Sequence, residues 1–177
     1  MHLDGARVFN AAVALGVPVA DLVRPVDSVA FSLCKGLACP VGSVLCGSAE
    51  FIQRARRYRK MVGGGMRQAG IIAAAGIVAL ESMIDRLAED HENACLLAQG
   101  LAAVPGLSLV PPQVDSNMVF FTLDGVNAFE LASRLSQAKV LCLAEAGRVR
   151  LVTHYGIERA DVEEAVERIR ATVGALA

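Results

Sequence analysis

Lys35 stands between Cys34 and Gly36 at the end of the apolar run SVAFSLC, where a permanently solvated ammonium is not the natural occupant. An amine whose surroundings disfavour its charged form is a nucleophile, suited to a Schiff base with an aldehyde. From position alone, an exposed strand-end lysine is the simpler reading; the company Lys35 keeps reverses that order. Asp4, beside Gly5 in the stretch HLDGAR, is the type of carboxylate that a Schiff-base cofactor with a pyridine ring needs against its ring nitrogen. A protonated ring is the better electron sink. Strand-to-helix turns at the carboxyl ends of parallel strands are where α/β sheets bind ligands, and an aspartate there also serves as a helix cap.

The arginines divide by context. Arg54, Arg56, Arg57, Arg59 and Lys60 crowd one predicted helix, which reads as a solvated face or as intersubunit salt bridges. Nucleic-acid binding is disfavoured because the overall charge is balanced and stacking aromatics are scarce. Arg67 follows GGGM at a predicted helix start, where free backbone N–H groups and a guanidinium both suit a phosphate. In RVRLVTH, alternation puts Arg148, Arg150, Val152 and His154 on one face and Val149, Leu151 and Thr153 on the other. One arginine of that pair suits a two-pronged carboxylate clamp, the other a surface position.

These residues need elements to hold them. VFNAAVALG has helical spacing and ends at Gly16; strands are expected at 28–34 and 41–47, joined by a tight connection. Ser48 caps a helix that GGG at 63–65 stops, and a single long helix is expected from about Met66 to Leu101. Three prolines within 105–117 mark a boundary, giving a first domain at 1–104 and a small α+β domain at 105–177. In the second, NMVFFTL, KVLCLAE and RVRLVTH read as strands and NAFELASRL as a helix with an Asn127/Glu130 capping pattern. In the last helix, Val162, Val166, Ile169 and Val173 share one face.

Composition sets the outer bounds. The 177 residues are 54% hydrophobic and 20% charged with a net charge of −1, which excludes a disordered chain or a general polyanion binder. Abundant Ala, Val, Leu and Gly point to an α/β fold with helices close on a largely buried, mainly parallel sheet. The apolar run from Ala69 to Leu80 is shorter than the ~20 residues of a membrane span. Without a basic n-region and apolar stretch at its start, the sequence shows no signal peptide. Five cysteines, an odd number set in apolar segments, fit a reducing compartment and place the protein in the cytoplasm. Cys34 and Cys39 lack paired CxxC spacing and the three histidines are scattered, so no metal site is expected.

Taken together, HLDGAR (2–7), SLCKGLACPVGSVLCG (32–47), ARRYRKMVGGGMRQAGIIAAAG (55–76) and RLVTH (150–154) resemble the low-specificity L-threonine aldolases, pyridoxal-phosphate enzymes of fold type I. The resemblance runs over essentially the whole chain, in order. It implies the C-terminal part of a fold-type-I large domain followed by the small α+β domain. It also implies aldol cleavage of threonine or a related β-hydroxy-α-amino acid to glycine and an aldehyde. Lys35 is then the catalytic residue and holds pyridoxal 5'-phosphate as a Schiff base, Asp4 pairs with the pyridine nitrogen, and Arg7 and Arg150 hold the substrate carboxylate. Arg67 reaches the cofactor phosphate across a subunit interface. Two departures stand beside the lysine: Cys34 in place of the usual serine, and Ala38-Cys39 in place of Gly-Ala or Gly-Thr. The resemblance further implies that the first strands of the large sheet, the phosphate-cupping turn and the histidine stacked on the ring lie outside this sequence. The partners it implies are an amino-acid substrate and either a homo-oligomer or a companion chain supplying the front half, with no nucleic acid and no membrane. Rival readings are another fold-type-I enzyme, such as an aminotransferase or a β-eliminating lyase, and a non-catalytic oligomerisation module.

Overall fold

The computed structural model describes residues 1–176. The chain divides into two compact units, one spanning Met1–Leu87 and the other running from Ala88 onward.

The first unit is built on a three-stranded sheet in the order β1-β2-β3, from β1 (His2–Asp4), β2 (Ser28–Ser32) and β3 (Ser43–Gly47). β1 and β2 run parallel with Asp4 opposite Ala30, and β2 and β3 run antiparallel with Ser32 opposite Ser43. Between β1 and β2 lie α1 (Val8–Leu15) and the short α2 (Val19–Val23), a crossover of the kind a parallel pair requires. Gly16, at φ 64°, ends α1 with two backbone bonds back to Ala12 and Val13, a left-handed cap that glycine adopts without steric cost. Val8 from α1 packs with Phe31, Leu33 and Leu37, and with Ala79 of α4 (Gly70–Ser82), in a small core that also takes in Leu87. Phe9 meets Phe31 edge-on, the ring centroids 5.1 Å apart. Between β3 and α4 runs α3 (Ala49–Met61), started as expected by Ser48, whose Oγ accepts from the Phe51 amide at 3.3 Å.

The expected single helix from 66 to 101 is two. α4 stops at Ser82, and after a turn over 83–86 the chain restarts as α5 (Leu87–Ala102). The expected domain boundary at 104/105 likewise differs from the division after Leu87. The reason is packing: Ala94, Leu97, Ala98 and Leu101 of α5 are buried in the core of the second unit.

That second unit is a four-stranded antiparallel sheet, β4-β5-β7-β6, from β4 (Leu107–Leu109), β5 (Met118–Leu123), β6 (Leu143–Glu145) and β7 (Arg148–Val152). Every second residue of β5 and β7 is buried. Val119, Phe121, Val149 and Leu151 thereby join α5, α6 (Ala128–Gln137) and α7 (Arg159–Gly174) in one core. Asn127 caps α6, its side chain accepting from the Phe129 amide at 2.8 Å. Val162, Val166, Ile169 and Val173 form the buried stripe of α7, as the spacing predicts. Among the described residues, no helix is long and apolar enough to cross a membrane.

Candidate active site

Asp4 is the last residue of β1 and lies exposed at its carboxyl end. The chain leaves it through Gly5, whose N–H donates to the Ala30 carbonyl at 2.8 Å. A Cβ on Gly5 would sit 2.9 Å from Val29 Cγ2 and 3.2 Å from that same carbonyl oxygen, so the turn lies against β2 only because it has no side chain. Asp4 Oδ1 accepts from the Ala6 amide at 3.2 Å, which fixes the carboxylate at the head of the turn. Arg7 follows, half-buried, as the residue that precedes α1.

Lys35 lies on the bend after β2. Its loop is closed by backbone bonds: Leu33 N–H to Gly42 at 2.9 Å, Cys39 N–H to Leu33 at 3.0 Å, and Ala38 N–H to the Lys35 carbonyl at 3.0 Å. Leu33, Gly36 and Leu37 are buried on either side. Gly36 has no room for more, since a Cβ would lie 2.8 Å from Asn10 Oδ1 and 2.9 Å from Leu87 Cδ2. The lysine itself is exposed. The burial that the sequence reading invoked for its amine is therefore not provided by this chain; what the chain does provide is position. β1 and β2 are adjacent and parallel, so Asp4 and Lys35 emerge at the same carboxyl edge, where open α/β sheets bind their ligands.

Arg67 is exposed in the turn ahead of α4, three residues before the helix begins at Gly70 and not at its first turn as the sequence suggested. Arg150 belongs to the second unit. It sits on the solvent-side alternation of β7, 23% exposed, its NH1 2.6 Å from Glu145 Oε2. Its Nε is buried without a hydrogen-bond partner. Arg148, on the same face, is otherwise engaged: it stacks 4.6 Å over the Phe120 ring and donates to the Val110 carbonyl at 3.2 Å. The pair left open by the sequence is thus distinguished by its neighbours. Glu145 was not foreseen, yet a signal existed. Ala146 and Gly147 both have positive φ, and Glu145 pairs with Arg148 across them, so a two-residue hairpin turn puts Glu145 on the arginine face.

Pyridoxal phosphate can be tested against this arrangement by donor chemistry. An exposed amine and an exposed carboxylate at one sheet edge, with a glycine turn that admits nothing larger, match its aldehyde and its ring nitrogen. The residues present fit the group.

The beta-eliminating lyase family model matches residues 1–124. Low-specificity L-threonine aldolase 1 of Arabidopsis thaliana is 45% identical over 166 residues, covering 92% of this chain and 46% of that protein. The low specificity L-threonine aldolase of Escherichia coli K12 is 44% identical over 171 residues, 97% of this chain and 50% of its own length. A crystal structure from Exiguobacterium sp. 255-15, provisionally named an aromatic amino acid beta-eliminating lyase/threonine aldolase, superposes with a TM-score of 0.78 at 27% identity, over 97% of this chain and 52% of that one. One from Listeria monocytogenes, at TM-score 0.77 and 22% identity over 97% of this chain and 51% of that one, shares the fold. The chain spans about half the length of the relatives it matches. With the Asp4 turn and the Lys35 bend both inside the matched span, this chain belongs to the beta-eliminating lyase family.

Proposed function

We propose that this chain carries the lysine half of a pyridoxal-phosphate carbon–carbon lyase that cleaves threonine, allo-threonine or a similar β-hydroxy-α-amino acid to glycine and an aldehyde. The observation that carries the reading is the placement of Asp4 and Lys35 at one edge of adjacent parallel strands, in a chain 44–45% identical to low-specificity threonine aldolases. When bound, pyridoxal phosphate supplies an electron-poor ring that accepts the electrons of the breaking bond. Lys35 would hold it through its amine. Asp4 keeps a proton on the ring nitrogen. Arg67 contributes charge toward the phosphate. Arg150, with Arg7, grips the substrate carboxylate and so orients the Cα–Cβ bond for cleavage.

The working enzyme on this reading is an assembly, either of copies of one longer chain or of this chain with a companion that supplies the remaining length. Its five cysteines, an odd number set in apolar segments, support a reducing cytoplasm as its compartment. The test is made on that assembly loaded with cofactor and given threonine. Release of glycine and acetaldehyde is expected, and keto acid as the main product would replace the reading with an aminotransferase. Lys35→Ala is expected to abolish the borohydride-reducible bond to the cofactor together with turnover; a bond that survives the substitution places the Schiff base elsewhere.

A further inference from the structure

Cys34 and Cys39 flank Lys35 on the same small loop. The Cys39 N–H donates to the Leu33 carbonyl at 3.0 Å, and that carbonyl shares its peptide unit with the Cys34 nitrogen. Chaining standard bond lengths through this hydrogen bond keeps the two Cα atoms within about 7 Å of each other, the separation beyond which a disulfide cannot close without backbone movement. The pair is asymmetric: Cys34 is exposed, whereas Cys39 is 7% exposed and donates Sγ–H to the Ala75 carbonyl at 3.3 Å. Burial, helped by the nearby Cys34, pushes the Cys39 thiol up, so the group that meets a solvent oxidant first is Cys34. Cys46 is no competitor by register, since it pairs with Val29 toward the far end of β2.

We propose that Cys34 and Cys39 are a thiol–disulfide site that a peroxide oxidises, closing a ring of residues 34–39 around Lys35. The Cys34 thiolate attacks the peroxide, the O–O bond breaks, and Cys34 becomes a sulfenic acid while the departing hydroxide takes up the proton that the Cys34 thiol released, giving one water. The Cys39 sulfur then attacks the Cys34 sulfur. An S–S bond forms, the S–O bond breaks, and the departing hydroxide takes the Cys39 proton as a second water. Two thiols are oxidised and one peroxide is reduced. The cross-link replaces the Sγ–H bond to Ala75 and pins the bend that presents the Lys35 amine, and it stands whether or not that amine carries a cofactor.

The experiment treats the purified 177-residue chain with hydrogen peroxide, blocks remaining thiols, and digests with trypsin. Because cleavage after Lys35 separates the two cysteines, a 34–39 disulfide joins the peptide 8–35 to the peptide 36–54. Fragmentation of the joined pair then distinguishes Cys39 from Cys46. Expected are a joined pair linked through Cys39, lighter than its parts by two hydrogens, its disappearance on reduction, and its persistence in Cys46→Ser. Cys34→Ser, an exposed and therefore mild substitution, should remove the pair while leaving the circular dichroism unchanged. Cys34 remaining a free thiol, carrying two added oxygens with Cys39 still free, or linking to Cys46 or to another copy overturns the proposal.

Discussion

Phe121, Leu131 and Ile169 of the second unit are wholly inaccessible, whereas Ile71, Ile77 and Val78 of α4 in the first are 86%, 57% and 59% exposed. The contrast extends through both units. Among the described residues, nineteen buried apolar side chains form the second core and seven form the first. Thirteen large exposed hydrophobics lie in the first unit against five in the second. Charge divides the same way: Met1–Leu87 holds ten Lys and Arg against six Asp and Glu, and the remainder holds seven against twelve. A net charge of −1 therefore conceals a basic unit and an acidic one. Four of the five candidate site residues, Asp4, Arg7, Lys35 and Arg67, lie in the unit with the smaller core. Where a fold spends its surface on ligands and partners, it has less left to bury against itself.

The contrast breaks most decisively if the units are separated. Residues 88–177 expressed alone should remain monomeric with dispersed amide resonances, because their apolar stripes meet one another. Residues 1–87 alone should associate through exposed apolar surface. A monodisperse 1–87 in sedimentation would erase the distinction.

Point substitutions test the same difference on a finer scale. Phe121→Ala should cost about 3–5 kcal/mol in urea unfolding. Ile71→Ser should change stability by less than about 0.5 kcal/mol while reducing self-association. Equal costs at the two positions would mean that α4 is covered in solution.

Whether the acidic unit also contributes chemistry turns on Arg150. Arg150→Lys keeps the charge but loses the planar fork, and in the active assembly should raise KM for the amino acid by the equivalent of about 1.5–3 kcal/mol with cofactor affinity unchanged. Arg148→Lys should leave KM near its starting value, since Arg148 serves Phe120 and Val110. The reverse outcome exchanges their roles.

The smallest effect concerns His91 on α5. Burial lowers its pKa, opposed by the neighbouring Asp90. The unfolded chain therefore binds a proton there more readily than the folded one, so the His91 contribution is complete above the unfolded value of ~6.5 and is lost as pH falls through the depressed folded value. Urea midpoints between pH 7.5 and 5 should show this decline, and His91→Gln should flatten it.

Much of the second unit was legible because its amphipathic patterns are satisfied inside the chain. The α7 stripe at 162, 166, 169 and 173 and the alternation through Val149 and Leu151 were readable from period alone, and both are buried as read. β4 went unseen because its three residues sit in a proline-bearing stretch that otherwise reads as a boundary. In the first unit, the strand pair and the Ser48 cap were readable from local chemistry. The break between α4 and α5 was not, since SMIDR contains neither glycine nor proline and the stop comes from which core each helix joins. At the candidate site, the Asp4 turn and the strand-end position of Lys35 were readable from motif, but the parallel pairing that sets them at one sheet edge and the exposure of Lys35 were not. An apolar run before a lysine reports the burial of its neighbours Leu33 and Leu37, not of its own amine. Glu145 was missed because its meaning depends on the length of one turn.

That turn also governs how the chain can change over generations. Ala146-Gly147 joins β6 to β7 with no spare residue, and side chains alternate strictly along β7. Inserting one residue between the turn and Arg148 would swap the two faces, sending both arginines toward the core and Val149 and Leu151 into water. Two added residues would restore the faces and merely lengthen the hairpin. Length variation in this stretch is consequently governed by parity: even steps are survivable drift, and odd steps remove the Arg150–Glu145 pair and the core together.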